Sequence, residues 1–402
     1  MTHDPALRLY GAALAFVQGV VVLWWSGGRA AHHLSADVDP ICWPLLQDCF
    51  AGRRIMAAQL DWLLPAMLIG SVAVAALFAL RRVRLGCTGL VLLKLAELMV
   101  LFGDFRLRGN QHMMALLALV VFLAAGRGRR DALRVLLVTI YFAAGLLKLN
   151  TEWISGAGLY RPLWLFDTPA LITAACVYVI VLELGVVWGL LAHRRWVFWG
   201  AFAQYIVFHV FSWPVVGFFY PLVMFGLLVI FPACRLWDAP AEARPSLLCR
   251  LLTGRAPAAA YVTLAVFALL QLPPVLTPGD AAVTGEGRIT ALHMFDARVR
   301  CRSFLRLHDG RRAPREMGLN GRLNERIACD PWVILSRART VCRQPGAAAM
   351  RQVELHHVAG RRTEPLRAVI RYPDVCRAPP DYRWWGRNDW ILLDGPPAPQ
   401  GY

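Results

Sequence analysis

The stretch LGCTGLVLLKLAELMVLFG, residues 85–103, is apolar throughout except at Thr88, Lys94 and Glu97. A helix of this length reaches about 30 Å, the thickness of a bilayer's hydrocarbon core. A helix on the surface of a soluble domain would instead carry a continuous polar face. Eight further runs read the same way, at 8–26, 62–80, 111–126, 133–150, 169–192, 196–213, 214–231 and 257–275. The chain is therefore expected to be mainly α, a polytopic membrane helix bundle of about nine transmembrane helices. The first run has a weakly charged start (His3, Arg8) and no convincing cleavage site before Gly27-Gly28-Arg29, so it reads as a retained helix and not a signal peptide. The seventh and eighth runs are parted only by Trp213-Pro214, as a tight hairpin or as one broken element.

Composition agrees. The 402 residues are 57% hydrophobic and 17% charged, with a mean hydropathy of +0.47. Soluble domains are nearer a quarter charged, so a cytosolic globule, a disordered chain and a fibrous repeat are poor fits. The net charge of +17 comes from 43 basic against 26 acidic residues, and of the basic ones only Lys94 and Lys148 are lysine. Both fall inside apolar runs, where a cation is costly.

The arginines orient the bundle. With a cytosolic N-terminus, the inner loops carry Arg81-Arg82-Val83-Arg84, Arg127-Gly128-Arg129-Arg130, His193-Arg194-Arg195 and the stretch 235–255. The outer loop 28–61 balances Arg29, Arg53 and Arg54 against Asp37, Asp39, Asp48 and Asp61. This alternation divides the chain into a transmembrane domain, 1–275, and an extracytosolic β-rich domain, 276–402. In the latter, Ser303–Leu307 followed by Asp309-Gly310 reads as a strand entering a hairpin, and Val353–His356 as a half-buried strand. The Pro-rich end (Pro396, Pro397, Pro399) reads as a loose tail. Cys42, Cys49, Cys301, Cys329, Cys342 and Cys376 fall on the outer side, where disulfides persist. Six cysteines allow about 15 pairings, and spacing alone selects none. No Cys/His spacing fits a metal site, so no metal is expected.

Lys94 and Glu97, three apart on one helix, are expected to form an internal ion pair, with proton or substrate handling as the alternative. Glu183 has no nearby arginine and must face a partner or cavity, or be protonated. His112 opens the fourth run, Lys148 closes the fifth and His209 lies near the outer end of the seventh, so all three fall near one membrane face. Arginine would snorkel as well as lysine does. Choosing lysine at 148 points to an amine that can lose its proton and act as a general base; a snorkelling cation and hydrogen-bonded histidines are the plainer readings.

The segment Tyr141-Phe142-Ala143-Ala144-Gly145-Leu146-Leu147-Lys148-Leu149-Asn150-Thr151-Glu152-Trp153 resembles the catalytic-lysine stretch of the vitamin K-dependent gamma-glutamyl carboxylase family, whose membrane part is the horizontally transferred transmembrane (HTTM) domain. Asp39-Pro40-Ile41-Cys42-Trp43-Pro44-Leu45-Leu46, Asn110-Gln111-His112, Phe208-His209 and Gly217-Phe218-Phe219-Tyr220 resemble further family segments in the same order, and Glu183 has a counterpart there. The resemblance implies an integral-membrane lyase that couples epoxidation of a reduced naphthoquinone (vitamin K or menaquinol type) by oxygen to carboxylation of glutamate by carbon dioxide. It implies Lys148 as the base toward the quinol, with His112 and His209 beside the chemistry, and Asn110, Gln111, Tyr141, Asn150 and Glu183 around the cofactor. This chain has Leu147 where the family has a second lysine, Gln111 where it has asparagine and Asn150 where it has an acid. The expected partners are the bilayer and a secreted peptide or protein substrate, with no nucleic acid. The competing expectation is a non-carboxylating member of the same family, a maturation or export factor or a lipid- or quinone-binding protein. Its motive is the arginine-rich outer domain, with 21 arginines against 12 acids from residue 281 onward. A transporter has little support, since the runs show no inverted repeat.

Overall fold

The computed structural model describes residues 4–34, 40–46, 49–159, 166–237, 245–293, 299–310, 313–319, 327–346 and 350–398. Asp37, Asp39 and Asp48 of the stretch 28–61, and Pro399 of the tail, lie outside them. Asp4 starts the first helix by accepting a hydrogen bond from Leu7 N (3.1 Å), with Pro5 at the first helical position, where its missing N–H costs nothing. That helix, α1 (Pro5–Trp24), runs through a π-helical turn at Trp25–Arg29 into α2 (Ala30–Leu34). There follow α3 (Phe50–Ala79), α4 (Val83–Gly103), α5 (Asn110–Ala124), α6 (Arg129–Leu147), the short α7 (Thr151–Ile154) and α8 (Pro169–Leu184). The rest of the bundle is α9 (Arg195–Val216), α10 (Phe219–Leu228), α11 (Ile230–Trp237), α12 (Leu247–Leu252) and α13 (Ala258–Leu276).

Among the described residues, six helical stretches are long and apolar enough to cross a membrane: Pro5–Gly27, Met56–Ala79, Val83–Gly103, Pro169–Leu191, Phe219–Trp237 and Ala258–Leu276. The other three expected runs are also helical but fall short. Asn110–Ala124 has 15 residues, α6 begins with Arg129, Arg130, Asp131 and Arg134, and α9 carries Arg195, Gln204 and His209. The break expected at Trp213-Pro214 comes later: α9 continues through Pro214 and ends at Val216, capped by Gly217, and α10 packs back against it. In α1, 72% of the apolar window is buried, against 17% in α13. The first helix is thus the centre of the bundle and the last lies on its rim. Ile69 on α3, Leu92 on α4 and Leu269 and Val275 on α13 expose apolar surface of the kind lipid covers.

Beyond Leu276 come α14 (Ala281–Thr284), β1 (Val299–His308), β2 (Arg315–Gly318), α15 (Pro331–Cys342), β3 (Gln352–Arg361) and β4 (Arg367–Tyr372). The strands form an antiparallel sheet in the order β2-β1-β3-β4, with Leu305 opposite Leu355 and Ser303 opposite His357. Both expected strands lie within it. Leu305, Val353, Leu355 and Ile370 are buried on one side, and Val333, Ile334 and Leu335 of α15 are buried with them. The period-two alternation puts Arg302, Arg306, Glu354 and His356 on the other side. Disulfides join Cys42 to Cys49, Cys301 to Cys329 and Cys342 to Cys376, so the six cysteines expected on the outer side are the six that pair. Trp332 Nε1 of α15 donates to Cys42 O (2.8 Å), tying the sheet region to the first interhelical loop.

His357 is fully buried in the sheet, with Nδ1 2.7 Å from Ser303 Oγ. Burial pushes its imidazole down to about 4, against a backbone hydrogen bond at Cys329. A depressed histidine stabilises the fold above its ordinary pKa of 6.5, and that contribution is lost as pH falls from there toward about 4. The loss amounts to about 3 kcal/mol. Thermal unfolding between neutral pH and pH about 4.5 should show this acid slope in the wild type and a flatter one in His357→Asn. Equal slopes would assign the acid sensitivity elsewhere.

Candidate functional site

Lys148 closes α6. Its backbone N–H bonds Gly145 O (3.1 Å), and its Nζ turns back to Ala144 O (3.3 Å). The same Nζ meets Glu183 Oε2 of α8 at 2.6 Å, and both side chains are only 3% exposed. The approach of α6 to α8 depends on Gly145, where a Cβ would fall 2.8 Å from Leu184 Cδ2 and 3.0 Å from Glu183 Cβ. Asn150 caps α7, accepting from Trp153 N (2.9 Å) and donating to Leu147 O (2.8 Å). That cap brings the Trp153 ring to 5.2 Å from Lys148 Nζ, a cation–π contact. Trp153 Nε1 in turn donates to Cys176 O of α8 (2.9 Å).

These groups lie on a cavity of about 980 Å³ among α1, α5, α6, α8, α9 and α10. Trp24, Ile140, Phe208, Phe219 and Met224 give it an apolar wall, and Asn110, Gln111, Tyr141, Lys148, Glu183 and His209 supply polar groups. Six of the eight residues singled out in the sequence thus share one space. Size and lining match the pattern of small-molecule sites, mostly apolar with a few convergent polar groups. Tyr141 Oη and His209 Nε2 share a hydrogen bond (2.6 Å), and the Tyr141 ring packs on Tyr205 at 4.4 Å. His209 Nδ1 and Gln111 Nε2 are buried, with no hydrogen-bond partner among the described residues.

The other two candidates stand outside the lining. Asn150 is occupied as a cap. His112 is turned to Glu97, its Nδ1 2.7 Å from Oε1, and its ring stacks on Trp25 at 5.2 Å. Glu97 also receives Lys94 at 2.5 Å, so the expected ion pair is present and has a third member. His112 thereby fixes the start of α5, which presents Asn110 and Gln111 to the cavity.

Several contacts of the site carry no sequence signal. Asn110 clamps the backbone of His293, accepting from its N–H (3.0 Å) and donating to its carbonyl. Arg106 and Arg108 line the cavity. Arg106 is paired with Asp104 (2.6 Å), and Arg108 donates to Arg288 O. Glu152, one residue before Trp153, accepts from Thr363 N (3.4 Å) and from its hydroxyl, and lies 3.5 Å from Arg361. Burial pushes the Glu152 carboxyl up, but the Thr363 hydrogen bonds and the Arg361 charge outweigh it and hold it below the usual carboxylate range. Among the described residues, no three His, Cys, Asp or Glu side chains gather as a metal site. The chain matches no family model, no curated protein and no solved structure.

The Lys148–Glu183 contact predicts strong coupling. Removing one member of a buried pair costs about 3–5 kcal/mol, because the other is left uncompensated. Lys148→Met and Glu183→Gln should each lower thermal stability in detergent by that order, and the double variant by much less than their sum. Additive losses would show the two groups to be independent.

Proposed function

We propose that the chain is an integral-membrane enzyme that uses a reduced naphthoquinone, oxygen and carbon dioxide to carboxylate glutamate in a secreted peptide or protein. The observation that carries this reading is a buried amine–carboxylate pair, Lys148–Glu183, on the wall of an apolar cavity among apolar helices. In this reading all nine helical runs cross the bilayer, the N-terminus is cytosolic, and the sheet and its disulfides are extracytosolic, in an oxidising compartment. No nucleic acid is involved.

The lining fits a flat aromatic quinol. Trp24, Phe208, Phe219 and Tyr141 line the cavity with rings, while Gln111 and His209 each keep one polar atom, Nε2 and Nδ1, without a hydrogen-bond partner among the described residues. A bound quinol would supply, with oxygen, the strong base that removes the γ-proton of a peptide glutamate, so that carbon dioxide can add to that carbon. The protein's part is proton handling, orientation and dryness. As a neutral amine, Lys148 accepts a proton from a ligand hydroxyl at Nζ, and Glu183 at 2.6 Å stabilises the resulting ammonium. The Tyr141 hydroxyl holds the His209 ring in place on the cavity wall. The apolar wall keeps water from a carbanion that it would quench. His112 and Asn150 act as positioning residues, through the start of α5 and the cap of α7.

One observation favours the second reading, a non-carboxylating quinone- or lipid-binding or maturation factor. Lys148 is already paired to a carboxylate, and an amine held as ammonium binds a ligand oxygen without taking its proton.

The test uses the full chain in nanodiscs, with reduced naphthoquinone, oxygen, labelled carbon dioxide and glutamate-containing peptides. The wild type should incorporate label, and Lys148→Ala should lose about 10²–10⁴-fold, the range of a general base, while still quenching tryptophan fluorescence on quinone addition. Undiminished turnover by Lys148→Ala overturns Lys148 as the base. Quinone binding by the wild type without incorporation selects the second reading.

A further inference from the structure

Residues 383–387, Arg-Trp-Trp-Gly-Arg, are five exposed positions in a row, with the buried Asn388 behind them. Trp384 is 39% and Trp385 62% exposed, their rings edge to face at 5.6 Å. The neighbouring aromatics behave differently: Tyr382 packs on Trp332 (4.9 Å) and Trp390 (6.2 Å), and Trp390 donates to Asp381 O. The loop is nonetheless built. Asn388 closes it, accepting from Arg383 N (2.6 Å) and donating to Arg383 O (3.1 Å).

Its depth follows from what holds Asn388. Glu286 Oε1 accepts from both the Asn388 backbone N–H and its side-chain amide (2.9 Å). The next residue, Gly287 (φ 70°), lies so close to α13 that a Cβ would fall 2.6 Å from the Pro273 carbonyl carbon. The chain then returns along the same helix, with Thr290 Oγ1 donating to Leu270 O (3.2 Å) and Leu292 N to Gln271 Oε1 (2.9 Å). Gly287 is therefore level with Pro273, three residues or about 4.5 Å before the helix ends at Leu276. That last turn shows its apolar face outward, with Leu272 41%, Val275 77% and Leu276 74% exposed. The loop is pinned at the depth where α13, an apolar helix long enough to cross the bilayer, leaves its apolar zone.

We infer that residues 383–388 are an interfacial anchor: Trp384 and Trp385 enter the headgroup layer of the bilayer beside the end of α13, with Arg383 and Arg387 against lipid phosphate. Tryptophan has the matching chemistry, an apolar ring with one N–H, and concentrates at this level of membrane proteins. Arginine beside an anionic headgroup adds electrostatic attraction to such an anchor; Arg387 is half exposed, at 4.0 Å from Asp389 and with Glu286 also within its field. The segment that carries the pin also frames the cavity, since Arg108 donates to Arg288 O and Asn110 clamps His293. Lipid depth at the loop thus fixes the height of the cavity rim. The inference requires the helices to be in a bilayer but does not depend on the carboxylation chemistry.

The test is tryptophan quenching of the full chain in nanodiscs whose acyl chains are brominated near the headgroup or near the chain end, in zwitterionic and in anionic lipid. The signal read is the emission that disappears in Trp384→Phe/Trp385→Phe, with Trp385→Phe alone as a milder second variant. That component should be quenched by shallow bromines at least about twofold more than by deep ones, and most in anionic lipid. A component untouched by bromine in both lipids and quenched by aqueous acrylamide overturns the inference and leaves the loop as a surface for a water-borne partner. Because only bilayer contact is read, failure here leaves the carboxylation reading untouched, and failure of carboxylation leaves this one untouched.

Discussion

The contact between Lys148 and Glu183 constrains the rest of the site. Either charge moved alone into a low-dielectric interior costs several kcal/mol, so each requires the other at hydrogen-bond distance. That requirement draws the end of α6 onto α8, a fit that Gly145 permits by offering no Cβ to the Glu183–Leu184 turn. With the α6 end so placed, the chain turns at Asn150 and lays Trp153 over the Lys148 amine, and the Trp153 indole closes back onto Cys176 of α8. Three helices are thus joined around one amine. The cavity is the space they leave toward α9 and α10.

The two lysines make an instructive pair. Each is buried, and each meets a glutamate: Lys94 at 2.5 Å and Lys148 at 2.6 Å. Their surroundings differ. Glu97 is shared between Lys94 and His112, all three outside the cavity lining, so that cluster is occupied in fastening α4 to α5. Glu183 and Lys148 both line the cavity, whose lining also includes His209 and Gln111. A compact ammonium on a flexible stem can give up its proton where a guanidinium cannot. Of the two lysines, only Lys148 stands on the cavity wall.

Local order was legible in the chain because its causes are local. Apolar runs of bilayer length became helices, the alternation at 303–307 and 353–356 became strands, and the cysteines assigned to one side became the disulfides. Ends were less legible. The helix α9 continues through Pro214 and is closed by the Gly217 N–H on Trp213 O, and apolar helices of this kind tolerate an internal proline. His112 faces Glu97 and Trp25 and not the cavity lining, since position along a helix does not say which way a side chain faces. The contacts of Asn110 with His293 and of Glu152 with Thr363 join residues about 180 and 210 apart. A single sequence carries no periodic trace of such pairings.

Those two long-range contacts bear on how the region beyond the bundle relates to the chemistry. One ties the β3–β4 turn to α7, and so to Trp153 over Lys148. The other ties the segment after α13 to the start of α5, and so to Gln111. Arg361 strengthens the first by holding Asp280 in a two-point contact (2.6 and 2.9 Å) while lying 3.5 Å from Glu152. The region beyond the bundle is therefore held to two sides of the cavity, by Thr363 on Glu152 and by His293 on Asn110, and it cannot shift as a body without breaking hydrogen bonds to groups in the lining or one residue from it. A substrate that docks on that region would meet a surface already coupled to the position of Trp153 and Gln111, whereas a freely tethered domain would leave the amine indifferent to what its neighbour binds.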